Sequence, residues 1–290
     1  MSKPDHQATG SLGKLFDIIT VGGSDARDFL HAQLTCDLRR LSEETSLAGA
    51  FLTPKGRVLA SMILVASGKQ VLLLTHPTVS DTLLQRLRMF VLRSDVTLSR
   101  DSGLSVSGAL RFRDSDEILL DCLPVKRHAG EITVAWPGGS QLLIGAEPPG
   151  APIDEQWLSR DAVLGIPHVT AATSDRHVAQ MLNLDRLRAV SFKKGCYPGQ
   201  EVVARVHYLG AVKRRLAHYR ADAPLEPTSQ LIDDAQQPRG EVLYSGEVAG
   251  ENGHPILAVV ATDGASATLH EAETGIALEP ALASGEPNIV

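Results

Sequence analysis

Apolar and polar positions alternate along this chain with two periods, one of strands and one of helices. Phe16 to Val21 reads as a short strand, and Gly22-Gly23-Ser24 is a turn ending at a helix cap. Asp25 to Leu34 follows with Ala26, Phe29, Leu30 and Leu34 at helical spacing, and Asp25 and Asp28 lie near its positive end. Gly49 to Leu52 and Arg57 to Ala66 predict a strand pair turned by Thr53-Pro54-Lys55-Gly56, because a proline with a glycine two places on is hairpin chemistry. Val71 to Thr75 adds a strand. Thr78 to Arg93 predicts an amphipathic helix, with Val79, Leu83, Leu84, Leu87, Phe90 and Val91 inward and Arg86, Arg88 and Arg93 on its wet side. Strands are expected at Glu117 to Cys122, Glu131 to Trp136 and Gln141 to Ile144, followed by a proline-rich linker from Pro148 to Pro152. Asp154 to Leu164 reads as a helix stopped by Gly165 and Pro167. Beyond Lys213 the chain holds short strands, Leu216 to Arg220, Glu241 to Ser245, Ile256 to Thr262 and Ala267 to Glu271, separated by Gly, Pro and Asn. That spacing predicts a small all-β domain, a barrel or a sandwich.

Composition narrows the class. With 290 residues and 43% hydrophobic content the chain can bury a substantial core, in roughly two domains or one elaborated domain. Cys36, Cys122 and Cys196 are an odd set, far apart and without a C-x-x-C pair, so no disulfide framework or self-contained metal site is written here, and a cytoplasmic location is expected. Met1 to Leu12 lacks the basic start and apolar run of a secretory signal, and no apolar stretch approaches the roughly 20 residues that cross a bilayer. A net charge of -6 argues against direct DNA binding through the overall field. Positive charge is nevertheless concentrated at Lys193, Lys194, Arg205, Lys213, Arg214 and Arg215, with only Glu201 opposing it. Such a patch suits an anionic ligand, or serves as a solvated strand edge.

That patch surrounds Lys194-Gly195-Cys196-Tyr197-Pro198-Gly199-Gln200-Glu201, a segment too broken for a regular helix or strand and therefore read as a shaped loop. Two readings of Cys196 stand at this point. In one it is a displayed thiol beside Lys193 and Lys194, whose ammonium groups favour a thiolate; in the other it is a buried filler under a tight turn.

The stretch Gln180-Met181-Leu182-Asn183-Leu184-Asp185, followed by Val190 to Arg205 with its Lys-Lys-Gly-Cys-Tyr-Pro-Gly-Gln-Glu centre, resembles the signature of the YgfZ family of folate-binding proteins. Gly23-Ser24-Asp25-Ala26 with Phe29-Leu30 and Gln33-Leu34-Thr35, Pro54-Lys55-Gly56-Arg57, and Gly165-Ile166-Pro167 agree with it, in the family's order. That family is similar to the aminomethyltransferase of the glycine cleavage system. The resemblance implies an α+β fold, a ring of three subdomains around a channel for tetrahydrofolate, with a C-terminal β-barrel. Its expected boundaries are 12–45 with 150–212 for a discontinuous first subdomain carrying the cysteine loop, 46–149 for an inserted αβ subdomain, 213–285 for the barrel, and flexible termini at 1–11 and 286–290.

The family's implied role is support for the assembly or repair of iron-sulfur clusters, with client enzymes or assembly proteins as partners. Those clients include radical enzymes that modify tRNA, and direct tRNA contact is left open. Two features depart from the transferase. Its adjacent aspartates correspond here to Ala60-Ser61, which cannot act as a carboxylate base, and no counterpart of its Tyr-Thr-Gly-Glu segment is found. Arg160-Asp161 sits one residue away from the place of a ligand-binding arginine in related proteins.

On this resemblance Cys196 is the candidate for chemistry and Lys194 its partner. Lys193 would hold an anion, Gln200 and Glu201 would fix the loop, and Tyr197 would stack on a ring or pack. Arg205 would grip a glutamyl carboxylate, Lys55 would face the channel, and Asn183 and Asp185 would meet the pterin edge or cap a turn. The competing function is a folate-dependent transferase of one-carbon units, and a weaker one is a module that only buffers folate. The histidines, His168 among them, form no metal-binding spacing and read as ordinary residues.

Overall fold

The structure, a computed structural model, describes residues 8–100, 103–111, 118–146, 150–249, 253–263 and 265–281. Its first half builds one long sheet. The strands, in chain order, are β1 (Ala8–Ser11), β2 (Asp17–Gly22), β3 (Thr45–Leu52), β4 (Val58–Ser67), β5 (Gln70–Thr75), β6 (Thr97–Arg100), β7 (Ser105–Leu110), β8 (Leu123–His128), β9 (Glu131–Ala135) and β10 (Gln141–Gly145). They pair in the order β1-β7-β10-β9-β8-β3-β4-β5-β2-β6. Helix α1 (Ala26–Gln33) follows β2, and α2 (Pro77–Arg88) follows β5.

Strand β4 shows why the helices sit where they do. Its side chains alternate: Val58, Ile63 and Val65 enter one hydrophobic core, while Met62, Leu64 and Ala66 enter another. Both faces are apolar, so each must be covered. The second face receives Ala26, Phe29 and Leu30 of α1 with Val79, Leu83, Leu84 and Leu87 of α2. The first face joins Trp136, helix α3 (Asp154–Leu164) through Trp157, and the chain between them and the C-terminal region.

After α3 the chain runs through irregular structure to α4 (Gln200–Leu209) and then to β11 (Arg214–Ala221), β12 (Gln230–Ile232), β13 (Pro238–Ser245), β14 (His254–Ala261), β15 (Leu269–Glu271) and β16 (Ala277–Pro280). These six close into a barrel in the order β11-β14-β13-β12-β15-β16. Ile256, Ala258 and Val260 of β14 fill its interior, while Leu257 and Val259, the alternate residues, face the large first core. The expected α+β architecture with a C-terminal barrel is therefore observed.

Several local expectations are corrected. Residues 118–122 form no strand, and the strand begins at Leu123; Glu117 lies outside the described residues. Helix α2 ends at Arg88 rather than Arg93, because the apolar stripe gives out: Met89, Phe90 and Leu92 are exposed. Gln200 and Glu201 belong to the first turn of α4 instead of a loop, which shortens the irregular segment to residues 194–199. Its three valines, Val202, Val203 and Val206, disguise that helix. The short β1, β6, β7, β12 and β16 carry too few periodic positions to be found by pattern. Of the expected linker, Pro148 and Pro149 lie outside the described residues, while Pro152 bridges Ser11 of β1.

Candidate functional site

The cysteine loop is clamped at both ends. At its C-terminal end Gly199 adopts φ +79°, and a β-carbon there would stand 2.5 Å from the carbonyl oxygen of Thr53 and 2.9 Å from Cα of Gly56. Only glycine lets the loop seat on the tip of the β3–β4 hairpin. Two segments that the sequence separates by some 140 positions thus interlock, and exposed Lys55 stands at that tip.

At the other end Lys194 is 6% exposed. Its ammonium donates to the carbonyls of His31 and of Leu34, the latter at 2.5 Å, where the last turn of α1 leaves acceptors unfilled. It also lies 5.0 Å from the Tyr197 ring centre. Burial lowers the Lys194 ammonium to about 8. The Tyr197 hydroxyl is sealed without a partner, and burial lifts it to about 12. Cys36, packed under β3, is likewise pushed up to about 12 by burial and stays a thiol. Cys196 is the contrast, for its side chain is exposed. Gly195 beside it is open as well, since a β-carbon placed there would meet nothing within 4 Å.

Three cavities adjoin one another behind this loop. One of about 220 Å³ is lined by Lys193 and Phe192 from the loop's approach, with Cys36, Asp37, Arg40 and Ala48. Ala48 also borders a narrow chamber of about 40 Å³ between Phe16, Ser61, Trp136 and His168. Leu15, His76 and His168 then line both that chamber and a groove of about 280 Å³ against the barrel, which Tyr244, Glu226 and Glu247 complete. Shared lining residues set the three in a row, a candidate ligand channel; Lys193, just before the cysteine loop, lines its first cavity, while Cys196 lines none of the three. Ser61 lines the constriction, where it offers a hydroxyl and no carboxylate.

The other candidates are dispersed. The Asn183 amide donates to the Leu216 carbonyl at 3.0 Å, and its oxygen accepts from Arg215 at 3.1 Å. Asp185 takes a two-pronged bond from Arg215 at 3.1 and 3.0 Å, which ties the 179–190 segment to the barrel, beside a separate cavity of about 330 Å³. Glu201 and Arg205 pair at 3.2 Å on the outer face of α4, both exposed, and Gln200 opens that helix. Arg160 is buried, and its guanidinium donates to the carbonyls of Arg111 and Gly138 at 3.1 Å each. Sequence reasoning passed over His76, Trp136 and His168, which come together in the channel from three distant segments. Only the nearness of His168 to Gly165-Ile166-Pro167 hinted at it.

A long sheet covered by helices, with a closed six-stranded barrel at the C-terminal end, is close to the aminomethyltransferase fold. The crystal structure of the glycine cleavage system aminomethyltransferase T from Bartonella henselae superposes with a TM-score of 0.69 over 97% of this chain and 86% of that one, at 13% identity, a likeness of fold alone. No family model matches the chain. Among curated proteins, the tRNA-modifying protein YgfZ of Colwellia psychrerythraea is 30% identical over 275 residues, covering 86% of this chain and 84% of that protein. The same-named protein of Escherichia fergusonii is 28% identical over 220 residues, covering 69% and 68%. The chain belongs to the YgfZ family.

Proposed function

We propose that this protein binds tetrahydrofolate or a derivative in its central channel and supports the assembly or repair of iron-sulfur clusters in client enzymes, those that modify tRNA included, with Cys196 as the functional thiol. The observation that carries the reading is the contrast among the three cysteines. Cys36 is buried and Cys122, though exposed, is taken up by the Arg40 guanidinium at 2.8 Å, whereas Cys196 is exposed on a loop fixed by the hairpin tip and by α1. A thiol held out on a rigid mount suits exchange with a partner protein. Lys194 and Tyr197 supply the mount, and Lys55 on the hairpin tip, Lys193 before the loop, and Gln200, Glu201 and Arg205 on α4 are the expected contacts for a ligand tail or a partner. All three cysteines are free, which fits a reducing cytoplasm. Among the described residues no helix is long and apolar enough to cross a membrane.

The residues of the channel fit a folate. The groove of about 280 Å³ falls just below the roughly 300–1,000 Å³ typical of small-ligand sites. Its ring walls, His76, His168 and Tyr244, suit a pterin, and Lys193 at the far end suits an anionic tail, beside Arg40, whose guanidinium is paired with Asp121 at 2.8 Å. The transferase alternative has less support, because Ser61 stands in the constriction without a carboxylate to act as base.

Replacing Cys196 by alanine separates the readings. Introduced into cells that lack their own copy, the variant is expected to lose most iron-sulfur client activity, while the purified variant retains its affinity for 5-formyltetrahydrofolate. Unchanged client activity would remove the thiol from the mechanism. Turnover of methylene-tetrahydrofolate by the purified protein alone would favour the transferase.

A further inference from the structure

The channel holds a histidine whose hydrogen-bonding sense is fixed from behind. Asp161 is fully buried, with one carboxylate oxygen, Oδ1, accepting from the indole N–H of Trp136 at 2.8 Å and the other, Oδ2, facing Nε2 of His168 at 2.7 Å. The indole nitrogen is a donor only and the carboxylate an acceptor only, so Nε2 carries a hydrogen. In the neutral ring Nδ1 is then a bare acceptor. Two aromatic rings pack against the imidazole. Phe16 lies at 5.9 Å and tilted by 60°, and Tyr244 meets its edge at 5.7 Å and 88°.

Nδ1 has no hydrogen-bond partner among the described residues, and it is not one of the sealed polar atoms. His168 itself lines both the chamber and the groove, so this nitrogen looks into the channel. Ligand-binding cavities use a few fixed polar atoms of this kind to orient a planar ring.

We propose that Nδ1 of His168 is the proton-accepting contact for an N–H edge of the fused heterocycle bound in the channel, and that Asp161 is the positioning residue that sets its tautomer. The proposal rests on the folate reading above and assigns a recognition atom within it. Its chemical consequence is selectivity: a ring offering an N–H donor at this point is accepted, and one offering only a lone pair meets a second lone pair.

The decisive variant is Asp161→Asn, which changes one atom and keeps the shape. Trp136 can donate only to the amide oxygen, so the amide nitrogen must face His168 and donate to Nε2. The ring is thereby driven to carry its hydrogen on Nδ1, and the acceptor becomes a donor. Nitrogen-15 NMR of the His168 ring at neutral pH is expected to place the hydrogen on Nε2 in the wild type and on Nδ1 in the variant. Calorimetry with 5-formyltetrahydrofolate is expected to show affinity falling about tenfold in Asp161→Asn and in His168→Phe, which keeps the ring packing. A wild-type ring protonated on Nδ1 or on both nitrogens overturns the proposal, as does unchanged affinity in both variants. Failure of the wild type itself to bind would instead defeat the folate reading and take this assignment with it.

Discussion

Gly199→Ala tests whether the cysteine loop is truly mounted on the β3–β4 hairpin. At φ +79° a β-carbon costs about 1–2 kcal/mol in backbone strain alone. Its nearest neighbours would be the Thr53 carbonyl oxygen at 2.5 Å, Gly56 Cα at 2.9 Å and Gly56 nitrogen at 3.0 Å. All three are backbone atoms and cannot rotate aside, so relief requires the loop and hairpin to part, an overpacking cost of about 1–3 kcal/mol. The expected loss of stability is therefore about 2–5 kcal/mol. Gly195→Ala is the internal control, because nothing lies within 4 Å of its β-carbon position; its effect should stay within about 0.5 kcal/mol. Urea unfolding of the two variants, compared at equal slope, gives the difference directly, and the alkylation rate of Cys196 reports whether the loop has moved. Equal stability of both variants, or a larger loss in Gly195→Ala, would refute the mounting argument.

Two further predictions concern the barrel and its seam. The His218 ring has its Nε2 sealed without a partner, and burial, with Arg220 adding to it, lowers the ring to about 4 from 6.5. Below pH 6.5 the unfolded chain takes up a proton that the folded protein refuses until about pH 4. The contribution is thus complete above pH 6.5 and is lost on acidification toward 4, by about 3 kcal/mol. His76, lowered to about 4 mainly by burial, acts in the same sense, so His218→Leu should make the acid limb of urea stability shallower without abolishing it. An unaltered limb would contradict the assignment. Arg215→Met strips Asp185, Asn183 and the Gln180 carbonyl of a shared donor and should cost about 3 kcal/mol, because a half-buried carboxylate loses its partner. Adding Asp185→Asn should recover part of that loss in thermal unfolding; strict additivity would show that the pair is not coupled.

The strands of the hairpin and barrel were legible because alternation has period two, and turn residues such as Pro54 and Gly56 mark where it reverses. The loop was legible in outline, since Gly195, Pro198 and Gly199 exclude regular structure. Which glycine mattered was not. Gly195 and Gly199 look alike in sequence, and only the approach of Thr53 and Gly56 distinguishes them. Lys194 looked like a charge beside the thiol. The fold instead carries it inward to the carbonyls of α1, because a long apolar stem lets an ammonium reach buried acceptors.

By itself the sequence determined the local periods, the turn chemistry and the presence of an uncommon cysteine segment, all of which depend on neighbours along the chain. Tertiary structure decided the channel. Phe16, Ser61, Trp136, His168 and Tyr244 come from five separate segments, and their meeting depends on how the sheet and the barrel close around one another. It also decided that Asp161 faces His168 while its neighbour Arg160 is spent on backbone carbonyls. Adjacent residues on α3 point in different directions, and what each meets is set by the packing of distant elements.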